Sequence, residues 1–194
     1  MQTRSHLLDQ LQANITKSVR VYHHSYLVLL HRRYHPILKN QSKIFIVLHN
    51  VHSVSKVIDT AQVVYSFGFQ NFVVTKAEGS AAQTGVPEAN KLAIKMKRNF
   101  IVMPKLIDAI ELLDVENPLL IPSPVLTKER INLEELSSQL KSDEKLVIVV
   151  SGSSSSFSRK EMDLGQCRSI DTQYDIGPAG TTAVVLYMLK SFSE

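Results

Sequence analysis

The chain has 194 residues, of which 44% are hydrophobic and 21% are charged, so it can form a globular domain with a sizeable core. Its single cysteine, Cys167, excludes an intrachain disulfide and a zinc site built on cysteines, and it favours a reducing compartment. No apolar run is long enough to span a bilayer and the first residues lack a signal-peptide pattern, so we expect a cytoplasmic protein.

Residues 1–42 are predicted to form a basic helical extension. They hold six Lys/Arg and one Asp, a net charge of +5, whereas the other residues hold 16 basic and 17 acidic groups, a net charge of −1. An aliphatic residue recurs at every fourth position from Leu7 to Val19, which predicts an amphipathic helix. A basic arm on a near-neutral body predicts contact with the phosphates of RNA. The alternatives are a solvated extension without a specific role, and a translation start that lies upstream of the natural one.

Residues 43–194 are predicted to form one domain in which strands and helices alternate. Apolar, β-branched runs predict strands at residues 44–48, 71–75, 99–103, 119–121 and 146–150. Helical patterns predict helices from 53 or 55 to 67, and at 87–97, 105–113, 133–140 and 181–192. This alternation predicts an α/β fold with a mainly parallel sheet of five or six strands, covered on both faces. Such sheets bind ligands at the carboxyl ends of their strands.

Three motifs of common α/β enzymes are absent from the sequence. No GxxxxGK[ST] run is present, so a phosphate-binding P-loop is not expected. His49–Val54 follows the first strand where a dinucleotide-binding domain has GxGxxG. Gly152–Ser156 lacks the final glycine of the GxSxG turn of hydrolases.

Three other segments share a pattern with one known class. Val47–His52 is a strand that ends in an Asn-containing turn, and the helix after it closes at Phe67-Gly68. Val149–Gly152 is a strand that ends in a glycine-containing loop. Asp175–Ala183 is a loop that leads into a final helix of small residues. In order and spacing, these segments resemble the three motifs of SPOUT methyltransferases of the TrmH-like (SpoU) group, and the resemblance covers residues 43–194.

The resemblance implies an α/β-knot fold, in which the C-terminal segment threads through a loop as a trefoil knot. It also implies an S-adenosylmethionine-dependent RNA methyltransferase acting on tRNA or rRNA, and a homodimer formed through the knot region and the final helix. By position, seven residues are implied to bind the cofactor: Ile121, Pro122, Ser123, Gly152, Ile170, Ile176 and Gly177. Small residues let the backbone approach a ligand closely. The alternative is that the glycines serve turns and a helix start, and that residues 153–156 form a flexible loop.

Three positions depart from the pattern of that class. Asp59 stands where ribose-methylating members carry an arginine, Ser153 where the second motif has Glu, and Gly177 where the third motif has Asn. One hypothesis is that the chain methylates a base nitrogen by another arrangement of residues. The second is a catalytically silent SPOUT-like protein that binds RNA or the cofactor. A more distant third is a nucleotide-handling α/β protein of another family.

Asp171, Asp175 and Asn50 are the catalytic candidates. A carboxylate beside the knot loop can accept a proton from a base nitrogen, and Asn50 lies in the turn of the first motif. The alternative for both Asp residues is structural, since Asp is common at turns and helix starts. His49 and His52 flank Asn50, but the sequence indicates no third ligand for a metal. For these histidines we expect packing or RNA contact.

Overall fold

A computed structural model of the chain describes residues 41–132, 134, 136–138 and 144–191. All but the last two positions of the predicted basic extension lie outside the described residues. Within the described part, six strands form one sheet: β1 (Ile44–Val51), β2 (Asn71–Ala77), β3 (Asn99–Met103), β4 (Leu119–Ile121), β5 (Leu146–Ser151) and β6 (Gln166–Cys167). The α-helices are α1 (Val54–Ser66), α2 (Val86–Met96), α3 (Leu106–Leu113), α4 (Arg159–Met162) and α5 (Gly177–Ser191). None of the described helices is both long and apolar enough to cross a membrane.

The strand order is β3-β2-β1-β5-β4-β6, and every neighbouring pair is parallel. The sheet therefore confirms the predicted α/β class with a parallel sheet. Near the carboxyl end of β1, His49 pairs with Thr75 of β2 on one side and with Ser151 of β5 on the other. The side chains that follow these strands consequently gather at one edge of the sheet.

Both faces of the sheet are covered, as the continuous apolar runs predict. Alternate residues of β1 point to opposite faces, so Leu48 lies in one cluster and Val47 in the other. The first cluster contains buried residues of α1, α2 and α5, such as Leu186. The second contains α3 and Phe157. Burial of apolar surface on two faces is the main stabilising term for this arrangement.

The structure also corrects some element boundaries and adds short elements. Helix α5 begins at Gly177 rather than at the predicted residue 181, because Pro178 fits the first turn and the carboxylate of Asp175 accepts a hydrogen bond from the Gly177 amide. Helix α4 and strand β6 were not predicted. Of the predicted helix 133–140, residues 134 and 136–138 are described and are helical.

Candidate ligand-binding cleft at the carboxyl edge

An open cleft lies at the carboxyl ends of β4 and β5. Three separated segments form it: the loop after β4, the loop after β5, and the segment that leads into α5. Its lining residues are Ile121, Pro122, Ser123, Pro124, Val150, Ser151, Ser153, Ser156, Ile170, Thr172, Asp175, Ile176, Gly177, Pro178 and Thr181. The cleft is referred to below as the carboxyl-edge cleft.

The structure places six of the seven predicted cofactor-binding residues in this lining, and Gly152 is the exception. A Cβ atom added at Gly152 would lie 2.7 Å from Cβ of Val51. Packing of the loop after β5 against β1 therefore requires glycine at this position, and the cofactor role of Gly152 stays a prediction. The cofactor role of the other six residues stays a prediction.

The three catalytic candidates are not brought together. Asp175 lines the cleft, and its Oδ1 atom accepts a hydrogen bond of 2.8 Å from the Gly177 amide, as a helix cap does. Asp171 is 95% exposed, lies outside the lining and pairs with Arg130 at 3.7 Å. Asn50 also lies outside the lining, at the end of β1. The structural alternative for both Asp residues is thus consistent with their contacts.

Asn50 belongs instead to a pair of strained residues on neighbouring strands. Asn50 has a φ of +57° and Lys76, on β2, has a φ of +50°. The flanking pairs His49–Thr75 and Val51–Ala77 keep the parallel register, so the two left-handed residues lie at the same level of the sheet. Left-handed backbone costs a side-chain-bearing residue about 1–2 kcal/mol, and such strain clusters at functional sites. Nothing in the sequence around Lys76 signals this conformation.

Residues 152–158 form a loop that is referred to below as the serine loop. Specific hydrogen bonds hold this loop, in contrast to the alternative of a flexible loop. Ser156 is 4% exposed, and its Oγ atom accepts a hydrogen bond of 3.2 Å from the Ser123 amide across the cleft. Lys56 of α1 donates a hydrogen bond of 2.8 Å to the carbonyl oxygen of Gly152. Two walls of the cleft are therefore fixed to each other and to α1.

A buried histidine–carboxylate pair lies behind the serine loop. His49 is 1% exposed, and its Nε2 atom is 2.8 Å from Oε1 of Glu161 in α4. Its Nδ1 atom is 2.8 Å from the Thr75 hydroxyl, and its ring stacks on Phe157 with a centroid distance of 6.0 Å. Burial lowers the pKa of His49 against the opposing effect of Glu161. Sequence reasoning singled out His49 but not its partner, which is 112 positions away.

Thr172 presents an unpaired polar atom next to the cleft. Its Oγ1 atom is buried and has no hydrogen-bond partner in the described part of the chain, as is also true of Oγ1 of Thr182 in α5. Thr172 lines the cleft and Thr182 does not. Because buried polar atoms are usually paired, an unpaired hydroxyl beside a cleft is a ready partner for a ligand. Among the described residues, no group of three His, Cys, Asp or Glu side chains is placed to hold a metal ion.

The fold of the protein is shared with solved structures. Its fold matches a solved structure named as a probable methyltransferase from Bordetella pertussis Tohama I, with a TM-score of 0.64 and 12% identity over 81% of this chain and 98% of that chain. It also matches the SpoU methyltransferase AviRb from Streptomyces viridochromogenes in complex with AdoMet, with a TM-score of 0.56 and 9% identity over 75% of this chain and 58% of that chain. The fold is that of the SPOUT class, as the motifs implied.

Sequence comparison then gives the family. A family model described as "RecB-family nuclease (DUF2122)" matches residues 79–188, and the chain belongs to this family. It is 35% identical, over 76% of its length and 97% of the relative's, to "Putative type II restriction enzyme MjaORF1200P" of Methanocaldococcus jannaschii. It is 36% identical, over 74% of its length and 90% of the relative's, to "Putative type II restriction enzyme ApeKORF2002P" of Aeropyrum pernix.

These comparisons correct the predicted activity. The prediction of an RNA methyltransferase is wrong, because the family and both relatives are described as nucleases or restriction enzymes. Solved structures at 9–12% identity share the fold alone with this chain. The resemblance found in the sequence therefore holds for the fold and does not extend to the activity.

Proposed function

We propose that the protein binds S-adenosylmethionine in the carboxyl-edge cleft. The observation that carries the proposal is the convergence of three separated segments on one cleft at the carboxyl ends of parallel strands. A structure of the same fold is described in complex with AdoMet, which supports the choice of ligand.

The lining offers both kinds of contact that an adenosyl ligand needs. Ile121, Ile170 and Ile176 provide apolar surface against which an aromatic base can be buried. The Thr172 hydroxyl, which has no partner among the described residues, can pair with a polar atom of the ligand. The carboxylate of Asp175 lies in the same lining and can offset the positive charge of a sulfonium.

Calorimetric titration with S-adenosylmethionine and S-adenosylhomocysteine tests this proposal. We expect micromolar dissociation constants, equivalent to about −8 kcal/mol. Ser123→Phe places a bulky ring in the cleft and should abolish binding, whereas Val125→Phe, at a residue that is 78% exposed and outside the lining, should not. Lack of binding by a folded wild-type protein, or equal binding by both variants, would reject the cleft as the site.

A nuclease is the second candidate, and the observation that favours it is the description of the family and of the two relatives. Many nucleases act through metal ions held by carboxylates. The described residues contain no group of three side chains suited to hold such an ion, so we derive no metal-dependent step from them. Incubation of plasmid and linear DNA with the protein and Mg²⁺ or Mn²⁺ tests this candidate, and cleavage in a purified, tag-matched control preparation would discount it.

The partners expected from the sequence also remain part of the proposal. Helix α5 exposes Tyr187 at 65% while burying Val185, Leu186 and Leu189, so it can pack inside the domain and still contact a second copy. Sedimentation velocity of the wild type and of Tyr187→Lys tests the homodimer. Salt-dependent binding of RNA and DNA by the full chain, compared with a chain that lacks residues 1–42, tests the role of the basic extension.

A further inference from the structure

The serine loop ends at a single carboxylate that also contacts β1. Oε2 of Glu161 accepts hydrogen bonds from the Ser158 amide at 2.7 Å and from the Ser158 hydroxyl at 2.8 Å. Oε1 of the same side chain meets Nε2 of His49 at 2.8 Å. Glu161 therefore joins the last residue of the serine loop to the central strand of the sheet.

His49 is itself fixed on two other sides. The Thr75 hydroxyl lies 2.8 Å from Nδ1, and the ring of Phe157, a residue of the serine loop, stacks on the imidazole with an interplanar angle of 9°. Because Phe157 follows Ser156 directly, displacement of the imidazole moves a residue that lines the cleft. The position of the cleft wall thus depends on the histidine behind it.

We infer that His49 and Glu161 are positioning residues that hold the serine loop against the carboxyl-edge cleft, so that ligand affinity falls when His49 becomes protonated at acidic pH. This inference rests on the proposed binding of S-adenosylmethionine. Neither side chain lines the cleft, and both act through residues 156–158. The contact between the two side chains is a feature of this chain, and Glu161 lies outside the three motifs that carry the fold resemblance.

The protonation states follow from the groups that face the pair. Burial lowers the pKa of His49, the contact with Glu161 opposes this, and Lys76 at the end of β2 lowers the pKa further. Burial tends to raise the pKa of Glu161, but hydrogen bonds from Ser158 and His49 outweigh it and hold that pKa below its usual range. Lys56 of α1 is directed to the Gly152 carbonyl. At neutral pH the arrangement contains neutral His49, which donates from Nε2 to ionised Glu161 and accepts from Thr75 at Nδ1.

The sign of the pH effect follows from these shifts. A histidine whose pKa is lowered in the closed arrangement binds a proton more readily once the serine loop is displaced and the ring is hydrated. The closed arrangement is therefore fully favoured above the ordinary histidine pKa of about 6.5 and loses this advantage as the pH falls below it. Ligand affinity should decline over the same range.

Titration of the full-length protein with S-adenosylmethionine between pH 5.5 and 8 tests the inference. We expect wild-type affinity to fall several-fold from pH 7.5 to pH 5.5, because the pKa of His49 is lowered in the closed arrangement and protonation opposes that arrangement. His49→Gln should bind several-fold more weakly than wild type at pH 7.5 and lose most of the pH dependence. His52→Gln is the matched control. The side chain of His52 is 58% exposed, and its Nδ1 atom lies 3.7 Å from Oε2 of Glu78, which is too far for a hydrogen bond. The pH dependence of ligand affinity in this variant should equal that of wild type.

Hydrogen exchange without ligand separates this inference from the proposed function. Amides of residues 152–158 should exchange several-fold faster in His49→Gln than in wild type or His52→Gln, whether or not any ligand binds. If His49→Gln does not fold, Glu161→Gln, which keeps the side-chain shape, takes its place. Unchanged exchange in the serine loop together with a wild-type pH profile would overturn the inference, whereas absent binding with faster exchange would overturn only the choice of ligand.

Discussion

The backbone amide of Ser123 donates a hydrogen bond of 3.2 Å to the hydroxyl oxygen of Ser156, and this bond joins the loops that follow β4 and β5. The two residues are 33 positions apart and lie on opposite walls of the cleft. Ser156 is 4% exposed and has a φ of +58°, so its backbone is held in a conformation that a residue with a side chain rarely adopts. One buried hydroxyl thereby sets the spacing of the two walls.

Replacing Ser156 with alanine should remove this connection. The Ser123 amide would lose its acceptor, and leaving a partly buried donor unpaired costs about 1–3 kcal/mol of unfolding free energy. We also expect several-fold weaker binding of S-adenosylmethionine because the walls are no longer held together. Urea denaturation and calorimetry measure the two effects. Ser155→Ala, in the exposed part of the same loop, should change stability by less than about 0.5 kcal/mol, and equal losses in both variants would contradict this role of Ser156.

The central strands could be predicted because each contains a continuous apolar run, such as Ile44–Leu48 in β1. Ile44–Val51 is buried at all but two positions, and parallel strands covered on both faces leave this simple pattern. The cleft was predicted for a related reason, since the carboxyl ends of such strands gather their loops at one edge. Strand β6 could not be predicted, because two residues, Gln166 and Cys167, carry no recognisable period.

The partner of His49 could not be found from sequence because the contact is not local. The pattern Ser158-x-x-Glu161 is a capping box, and it does start helix α4, but it does not show that the same carboxylate reaches β1. The packing of Gly152 against Val51 could not be predicted for a similar reason. Only the closeness of Val51 distinguishes a glycine required by packing from one that admits a ligand.

The two unpaired threonine hydroxyls permit a matched experiment. Thr172→Val and Thr182→Val each replace a buried hydroxyl without a partner by a methyl group, so each should raise the unfolding free energy by about 1 kcal/mol. Only Thr172 lines the cleft, so only Thr172→Val should weaken S-adenosylmethionine binding, by roughly fivefold to tenfold for one lost hydrogen bond. Equal ligand affinity in both variants would show that the ligand does not use this hydroxyl.

Two glycine-to-alanine substitutions should have opposite consequences. In Gly152→Ala the new methyl would lie 2.7 Å from Cβ and 3.0 Å from Cα of Val51, atoms that cannot move without shifting β1, so we expect a loss of roughly 1–3 kcal/mol. In Gly180→Ala the nearest atoms, at 3.2 Å, belong to the Ile176 side chain, which can adjust. Alanine also favours the interior of α5, so stability should be unchanged or rise by up to about 1 kcal/mol. Urea denaturation distinguishes them, and a similar loss in both would mean that backbone closeness at Gly152 is not the cause.

Two lysine-to-glycine substitutions near the end of α2 should change the stability of the protein in opposite directions. Lys97 caps the helix with a φ of 53° and a ψ of 52°, a left-handed conformation that glycine adopts without strain. Relief of that strain exceeds the extra backbone entropy that glycine brings, so Lys97→Gly should stabilise the protein by about 0.5–1 kcal/mol. Lys95, two residues earlier and equally exposed, lies within the helix, and Lys95→Gly should cost about 0.5–1 kcal/mol. Thermal denaturation of both variants at one pH measures the two effects. Both variants lose one positive charge, so a melting-temperature shift of the same sign in both would assign the effect to charge rather than to backbone conformation.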